Sequence, residues 1–420
     1  MTMSPVHDPY AALRFREFRH LVGANFLLTC ALLIQQIALA YELYRLTGDP
    51  LSLGLIGLAE AVPFIGLALF GGYLADRRDK RTLIRLSLWV ILLAAGLLAI
   101  LSRPDAREAL KQSGWLWAVY LTIAVLGLAR GVLSPSASSL RAFLVPREAL
   151  GSAATWSSTI WQAGAILGPV AGGFAYASFG LTGSLLIAMG LILVAERLVA
   201  TIAPRPVPVD PGAQARMWQA LREGLAYVRR TKIILYAISL DMFSVLFGGV
   251  IAILPVFAED ILKVGPEGLG LMRSAPAAGA ILTMLVCAWH PPTAQAWRNL
   301  LLAVAGFGLA TLVFALSPVY GLSCLALFCT GVFDSVSVVI RQTILHVVPP
   351  DHLRGRVQSV NSIFISASNE LGAFESGLAA RLLGTVPSVV FGGAMTLATV
   401  GLIWQRSRDL LAERLLQHAR

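Results

Sequence analysis

Gly72-Tyr73-Leu74-Ala75-Asp76-Arg77-Arg78-Asp79-Lys80-Arg81 is the stretch on which the reading of this chain turns. An apolar run that starts near Leu51 precedes it, and another starts near Leu83. Hydrocarbon solvates neither carboxylates nor basic side chains, so the segment belongs at a water interface, as a very short loop between two membrane spans. A small-residue helix end, an acidic residue and a basic cluster in that place read as a hinge and latch. Gly72 lets helices approach, and Asp76, Arg77, Lys80 and Arg81 supply the charge of a gate.

The rest of the 420 residues agrees with a membrane setting. The composition is 57% hydrophobic and 13% charged, roughly half the charged fraction of soluble domains. Apolar runs long enough to span a bilayer recur along almost the whole chain, and no stretch outside them could bury a core alone. The formal charge of +10 raises the question of nucleic acid. About three quarters of the 33 Lys and Arg instead collect in alternate loops, as the positive-inside rule predicts. That pattern excludes nucleic acid as a partner and places both termini in the cytoplasm. The N-terminal residues up to Arg19 show no short apolar segment with a cleavage site, so no signal peptide is expected. Cys30, Cys287, Cys324 and Cys329 fall inside apolar runs without zinc or redox spacing. Six scattered histidines and the absence of a Gly-x-Ser-x-Gly or phosphate-binding loop argue against an enzyme, a metal site or a cofactor.

Hydropathy predicts an all-α membrane protein of twelve spans: 20–46, 52–75, 82–102, 115–140, 150–178, 180–203, 232–258, 267–289, 298–317, 320–346, 354–382 and 385–405. Between the sixth and seventh lies a polar connection. It opens with Pro204, Pro206, Pro208 and Pro211 and continues as an amphipathic helix, Trp218, Leu221, Leu225, Tyr227 and Val228 opposing Arg216, Arg222, Arg229 and Arg230. The expected organisation is a six-helix bundle over 1–203, a cytoplasmic linker over 204–231 and a second six-helix bundle over 232–420. The bundles are related in sequence. Gly127, Pro146, Gly151, Gly168 and Gly173 recur at one constant offset as Gly331, Pro350, Gly355, Gly372 and Gly377. Gly57, Pro63 and Gly66 recur at a second offset as Gly270, Pro276 and Gly279. Constant offsets between topologically equivalent spans indicate a parallel internal repeat and hence two pseudo-symmetric bundles.

With twelve spans in two related halves, the Gly72-x-x-x-Asp76-Arg77-x-x-Lys80-Arg81 loop resembles the signature of the major facilitator superfamily, with Asp79 where that signature has Gly. Gly71-Gly72-Tyr73-Leu74-Ala75-Asp76-Arg77, Arg354-Gly355-Arg356-Val357 and Asn361-Ser362-Ile363-Phe364 resemble the branch of siderophore exporters and multidrug efflux proteins. Gly164-x-x-x-Gly168-Pro169-x-x-Gly172-Gly173 in span five resembles a motif of exporters that exchange substrate for protons. The same residues also have a purely mechanical reading, since small residues four apart admit a close neighbour and Pro169 permits a bend. In span four, Arg130 fits the superfamily pattern but Leu133 and Ser134 depart from it.

The resemblance implies that spans one, four, seven and ten line the central cavity. Asn25, Thr29 and Gln36 share one face of span one; Arg130, Ser134 and Ser138 share one of span four. Asp241 and Ser244 lie together on span seven, and Asp334, Ser337 and Arg341 on span ten. A charge at mid-membrane costs roughly 2.5–3.5 kcal/mol on insertion scales, so each needs a reason. One reason is that Asp241 or Asp334 titrates during a transport cycle; the other is a static ion pair such as Arg130–Asp334. Glu60 and Arg273, equivalent under the repeat, are expected either to close an outer gate as a pair or to hold separate local partners. Glu370 and Glu375 add acidic residues to span eleven. The counterpart of the opening loop, Cys287 to Arg298, keeps only Arg298 of the basic cluster, so the latch is one-sided.

The expected function is secondary active transport. An amphipathic small molecule, siderophore-like or drug-like, is exported across a bacterial inner membrane by alternating access, with protons as coupling ion. The working unit is a monomer in lipid. An importer or uniporter of the same fold, or a non-transporting membrane receptor, are the alternatives.

Overall fold

The computed structural model describes residue 8, residues 10–204 and residues 213–412; the side chains of 68–77, 213–218, 220, 411 and 412 fall outside the described set. The described residues form helices α1 (Arg16–Thr47), α2 (Pro50–Arg77), α3 (Lys80–Leu101), α4 (Pro104–Arg141) and α5 (Leu150–Ala200). They continue as α6 (Ala213–Arg230), α7 (Lys232–Gly248), α8 (Gly265–Trp289), α9 (Ala296–Leu316), α10 (Tyr320–Val347), α11 (Asp351–Leu383) and α12 (Thr385–Arg406). No strand occurs among them, as lipid requires of a chain that must satisfy every backbone group within its own helices. Among the described residues, ten helical stretches are long and apolar enough to cross a membrane. One of these holds both arms of α5, which bends at Gly180, where φ is +64°. The 33-residue α11 is more polar than the ten, and at 1.5 Å per residue its length of about 50 Å still crosses a bilayer. With it and both arms of α5, the passes number the twelve that hydropathy predicts.

Short polar sequences fix the turns. Gly384, with φ at +91°, ends α11 in a conformation that a side chain would strain. Asp79 is the N-cap of α3: its carboxylate accepts from Thr82 N at 3.0 Å and Thr82 Oγ1 at 2.7 Å. Thus the residue that stands where the superfamily signature has Gly satisfies an otherwise orphaned helix donor. Span seven is less regular than predicted. After α7 the chain runs through a 3₁₀ turn, Val250–Ile253, and a π-helical turn, Phe257–Ile261.

Contacts divide the described residues into two units, one within Met1–Leu39 and Val62–Asp210, the other within Ala40–Ala61 and Pro211–Arg420. In the first, α3 packs between α4 and α5. The α5 glycines seat that helix on α1. A Cβ at Gly164 would come within 2.9 Å of Thr29 Cγ2, one at Gly168 within 2.9 Å of Leu33 Cβ, and one at Gly172 within 3.0 Å of Ile34 Cα. Close helix approach of this kind replaces the hydrophobic drive that lipid cannot provide. Glu196, 2% exposed, pairs with Arg85 at 2.8 Å between α5 and α3.

In the second unit α10 packs on α8 and α9, α12 on α7 and α9, and α11 on α7. Helix α6 packs apolar residues of its described part on protein. Val228 is buried in a cluster with Ile233, Leu300 and Val357, and Leu221, Leu225 and Tyr227 pack against it. The Glu223–Arg356 ion pair fastens α6 to α11. Gly224 lets that contact close, since a Cβ there would reach 2.7 Å from the Arg356 carbonyl.

Candidate functional site

Charge inside the second unit gathers where α7 meets α10. Asp241 lies three residues before Ser244 on one face of α7, and Asp334, Ser337 and Arg341 follow one face of α10. Across the helix interface Arg341 forms an ion pair with Asp241. Both are almost fully buried, at 2% and 6% exposure. Asp334 is half-buried and feels both charges of that pair, the like charge of Asp241 and the opposite charge of Arg341. Among the described residues it makes no hydrogen bond or ion pair of its own. Two carboxylates therefore share one guanidinium, whose Nε lacks a hydrogen-bond partner among the described residues.

These groups border a small cavity lined by Asp241, Ser244, Phe307, Phe333, Asp334 and Ser337, among others. It has room for about one water-sized occupant, and its lining combines carboxylate and hydroxyl oxygens with Phe rings. Ser244 spends its hydroxyl proton on the Leu240 carbonyl, which leaves its lone pairs available. Ser337, 4% exposed, makes no hydrogen bond among the described residues. A buried oxygen-lined pocket with one uncompensated negative charge is suited to holding a proton or another small cation.

The remaining predicted positions lie elsewhere. On α1, Thr29 donates to the Asn25 carbonyl at 2.8 Å and turns its methyl toward Gly164. Gln36 is exposed, as is Ser134 on α4. Arg130 is half-buried and belongs to the first unit, while Asp334 belongs to the second. Glu60 on α2 and Arg273 on α8 are both half-buried and both belong to the second unit. Pro169 and Gly173 are buried within α5. Of the opening loop, Gly72, Asp76 and Arg77 lie outside the described side chains. Lys80 is buried, with its ammonium 5.0 Å from the Phe143 ring centre. Arg81 Nη2 donates to the Ala200 carbonyl at 2.6 Å, and so ties the start of α3 to the C-terminal end of α5. Both basic residues thus have local structural partners in the first unit.

Sequence reading missed a second polar group. Tyr41 and Tyr44 of α1 donate their phenols to Glu259 and Asp260 of the π-helical turn. The signal available was two tyrosines three apart, opposite an adjacent acidic pair at a span end. Neither is distinctive without the fold.

Comparison with known proteins follows the same lines. The family model described as Major Facilitator Superfamily matches residues 21–373. The enterobactin exporter EntS of Salmonella typhimurium is 26% identical over 393 residues, covering 92% of this chain and 91% of that protein. EntS of Escherichia coli O139:H28 is 26% identical over 384 residues, with 90% and 88% covered. Among solved structures, a mutant of the nucleoside transporter NupG superposes with a TM-score of 0.74 at 12% identity, over 93% of this chain and 99% of that one. A bacterial homolog of the human lysosomal transporter Spinster, inward-facing and unoccupied, gives 0.70 at 15% identity over 96% and 98%. At these identities the structures establish the fold.

Proposed function

Since the chain belongs to the major facilitator superfamily and is a multi-pass membrane transporter of that fold, we propose that it is a proton-coupled exporter of an amphipathic small molecule. It works by alternating access, as a monomer in a bacterial inner membrane, with both termini and α6 on the cytoplasmic side. The likeness to enterobactin exporters over nine-tenths of the chain supports export and a siderophore-like cargo. The observation that carries proton coupling is the Asp241–Arg341 pair with Asp334 beside it. One carboxylate more than the guanidinium can compensate is an expensive arrangement in a membrane core unless the excess charge is neutralised for part of the cycle.

The carboxylates and Arg341 act together. The guanidinium pairs with Asp241, and Asp334 takes up and releases the proton; a cargo group that approaches the cavity competes for the same counter-charge. Inverted membrane vesicles energised by a proton gradient are expected to accumulate enterobactin, and Asp334→Asn is expected to abolish the dependence on the gradient. Gradient-driven uptake by Asp334→Asn at the wild-type rate would remove that residue from the proton path. Accumulation of enterobactin by intact cells, with none by inverted vesicles, would establish import instead.

A further inference from the structure

Where α7, α10 and α11 meet, the second unit buries more hydrogen-bonding capacity than it uses. Asn361 of α11 is 1% exposed, yet neither its amide oxygen nor its amide nitrogen has a hydrogen-bond partner among the described residues. Arg341 Nε and Gln358 Oε1 are in the same position. Val357 and Val360, beside Asn361 on α11, belong to the apolar cluster that encloses this end of the unit. Protein interiors hold few unpaired amides, because burying one is costly and an aliphatic side chain of the same size fills the place without that cost. The three groups therefore call for a common partner.

Helical geometry gathers them. Gly372 turns α11 to α7, where a Cβ would come within 2.7 Å of the Val245 carbonyl. At about 100° per residue Asn361 shares that direction, and Gln358 lies about 60° further round, toward α10. There Gln358 Nε2 donates to Gln342 Oε1 at 3.1 Å. The order on α10 is the same: Arg341 turns to α7, where it meets Asp241, and Gln342 follows toward α11. Four polar side chains thus ring the place where the three helices meet.

Along α10 the ring lies between the carboxylate cavity and one end of the unit. Ser337, one turn from Arg341 on the side of Asp334, lines the cavity. In the other direction His346 is exposed, and its Nδ1 bonds to the Gln342 carbonyl at 2.7 Å. Asp334 and His346 are about 18 Å apart along the helix axis. The charged group between them, Arg341, is paired with Asp241; an uncompensated guanidinium would exclude protons, and a paired one does not. Unmet donors and acceptors that face one another hold water, and a file of water carries protons by exchanging O–H bonds.

We propose that the junction of α7, α10 and α11 is a hydrated proton route, with Asn361 and Gln358 as its hydrogen-bonding stations, joining Asp334 to the end of the unit that carries His346. A proton enters from bulk water at that end and each water of the file passes one on. The Asp334 carboxylate ends as the neutral acid, and release runs the same steps in reverse. The proposal rests on the reading of Asp334 as proton carrier and adds the path that serves it. Asn361 acts through the water it holds and is a positioning residue.

Two measurements on the full-length protein test the route. The first follows protonation of Asp334 after a rapid drop in pH, through an infrared carbonyl band identified by its loss in Asp334→Asn. Asn361→Leu, which keeps the size and deletes both polar atoms, is expected to slow the rise of that band about tenfold, the effect of one lost hydrogen bond to a charged group. Asn361→Thr, which keeps a donor and an acceptor, is expected to stay near the wild-type rate. A wild-type rate in Asn361→Leu, or equal slowing in both variants, overturns the route. If wild type shows no such band, the reading of Asp334 as proton carrier fails, and the second measurement alone decides whether the junction is a water path. In it, Ser337→Cys is placed in protein whose four native cysteines are replaced by alanine. The thiol is exposed to Ag⁺, which reaches it only through water, and the unreacted fraction is read with a maleimide after denaturation. Reaction is expected, slowed about tenfold when Asn361→Leu is added. No reaction, or a rate that Asn361→Leu leaves unchanged, overturns the proposal.

Discussion

Replacing Asp241 and Asp334 by Asn, singly and together, measures how one buried guanidinium is shared. Arg341 is 2% exposed and paired with Asp241. Stripping a buried ion of its only partner costs about 3–5 kcal/mol. In Asp241→Asn, however, Asp334 remains and supplies a counter-charge. At an effective dielectric of 20 a counter-charge that is near but not in contact attracts by about 2 kcal/mol, so the single substitution is expected to cost about 1–3 kcal/mol. Asp334→Asn alone removes a carboxylate that repels Asp241 and is expected to cost almost nothing. The double variant leaves the guanidinium with no anion among the groups that act on it here and pays the full about 3–5 kcal/mol. The cycle therefore predicts a coupling of about 2 kcal/mol, with the double variant worse than the sum. Unfolding by sodium dodecyl sulfate titration in lipid-detergent micelles at neutral pH gives the four free energies. Additivity within about 0.5 kcal/mol would show that Asp334 does not share Arg341 and would sink the charge argument for proton coupling.

Other consequences are simpler. Gly168→Val would place carbon where Leu33 and Cys30 already stand at 2.9 and 3.2 Å; overpacking of about 1–3 kcal/mol is expected to lower the melting temperature, whereas Gly151→Val, with open space around it, is not. Asp79→Ala removes the α3 cap and is expected to cost about 1 kcal/mol, with Asp79→Asn recovering most of it in the same melting assay. Asp409, beyond the last span, is held below its ordinary pKa by the hydrogen bond from Lys232. That pair therefore contributes at neutral pH and is lost as pH falls through the lowered value; Lys232→Gln is expected to return Asp409 to the usual carboxylate range, read by carboxyl-selective NMR.

Membrane spans were legible because burial in lipid demands one property, a long apolar run, and the chain states it repeatedly. The irregular end of span seven was not. Leu254-Pro255-Val256-Phe257-Ala258 is as apolar as a regular helix would be, and hydropathy does not distinguish an i+4 from an i+5 hydrogen bond. Periodicity placed Asp241 with Ser244, and Asp334 with Arg341, because a face is a local property of one helix. It could not say which faces meet, and so did not name the pair that Arg341 makes with Asp241. Asp79 shows the opposite failure. Its Asp-x-x-Thr spacing is a readable capping signal, and attention to the loop's net charge hid it.

The internal repeat explains the glycines better than either half does alone. Gly168 seats α5 against Cys30 and Leu33 of α1, and its repeat partner Gly372 seats α11 against Val245 and Leu246 of α7. One sequence position thus performs one mechanical task twice, a close crossing that keeps two helices of a unit together. Gly377, the partner of Gly173, has another neighbour: a Cβ there would strike Gly54 and the Pro50 carbonyl at the start of α2. The same smooth side of α11 thus also receives the start of α2. The charges diverge in the same way, with Arg130 in one unit and Asp334 in the other at equivalent positions. A parallel repeat with identical chemistry in both units would give two equal sites. Opposite charges at equivalent positions confine the two-carboxylate group to the second unit.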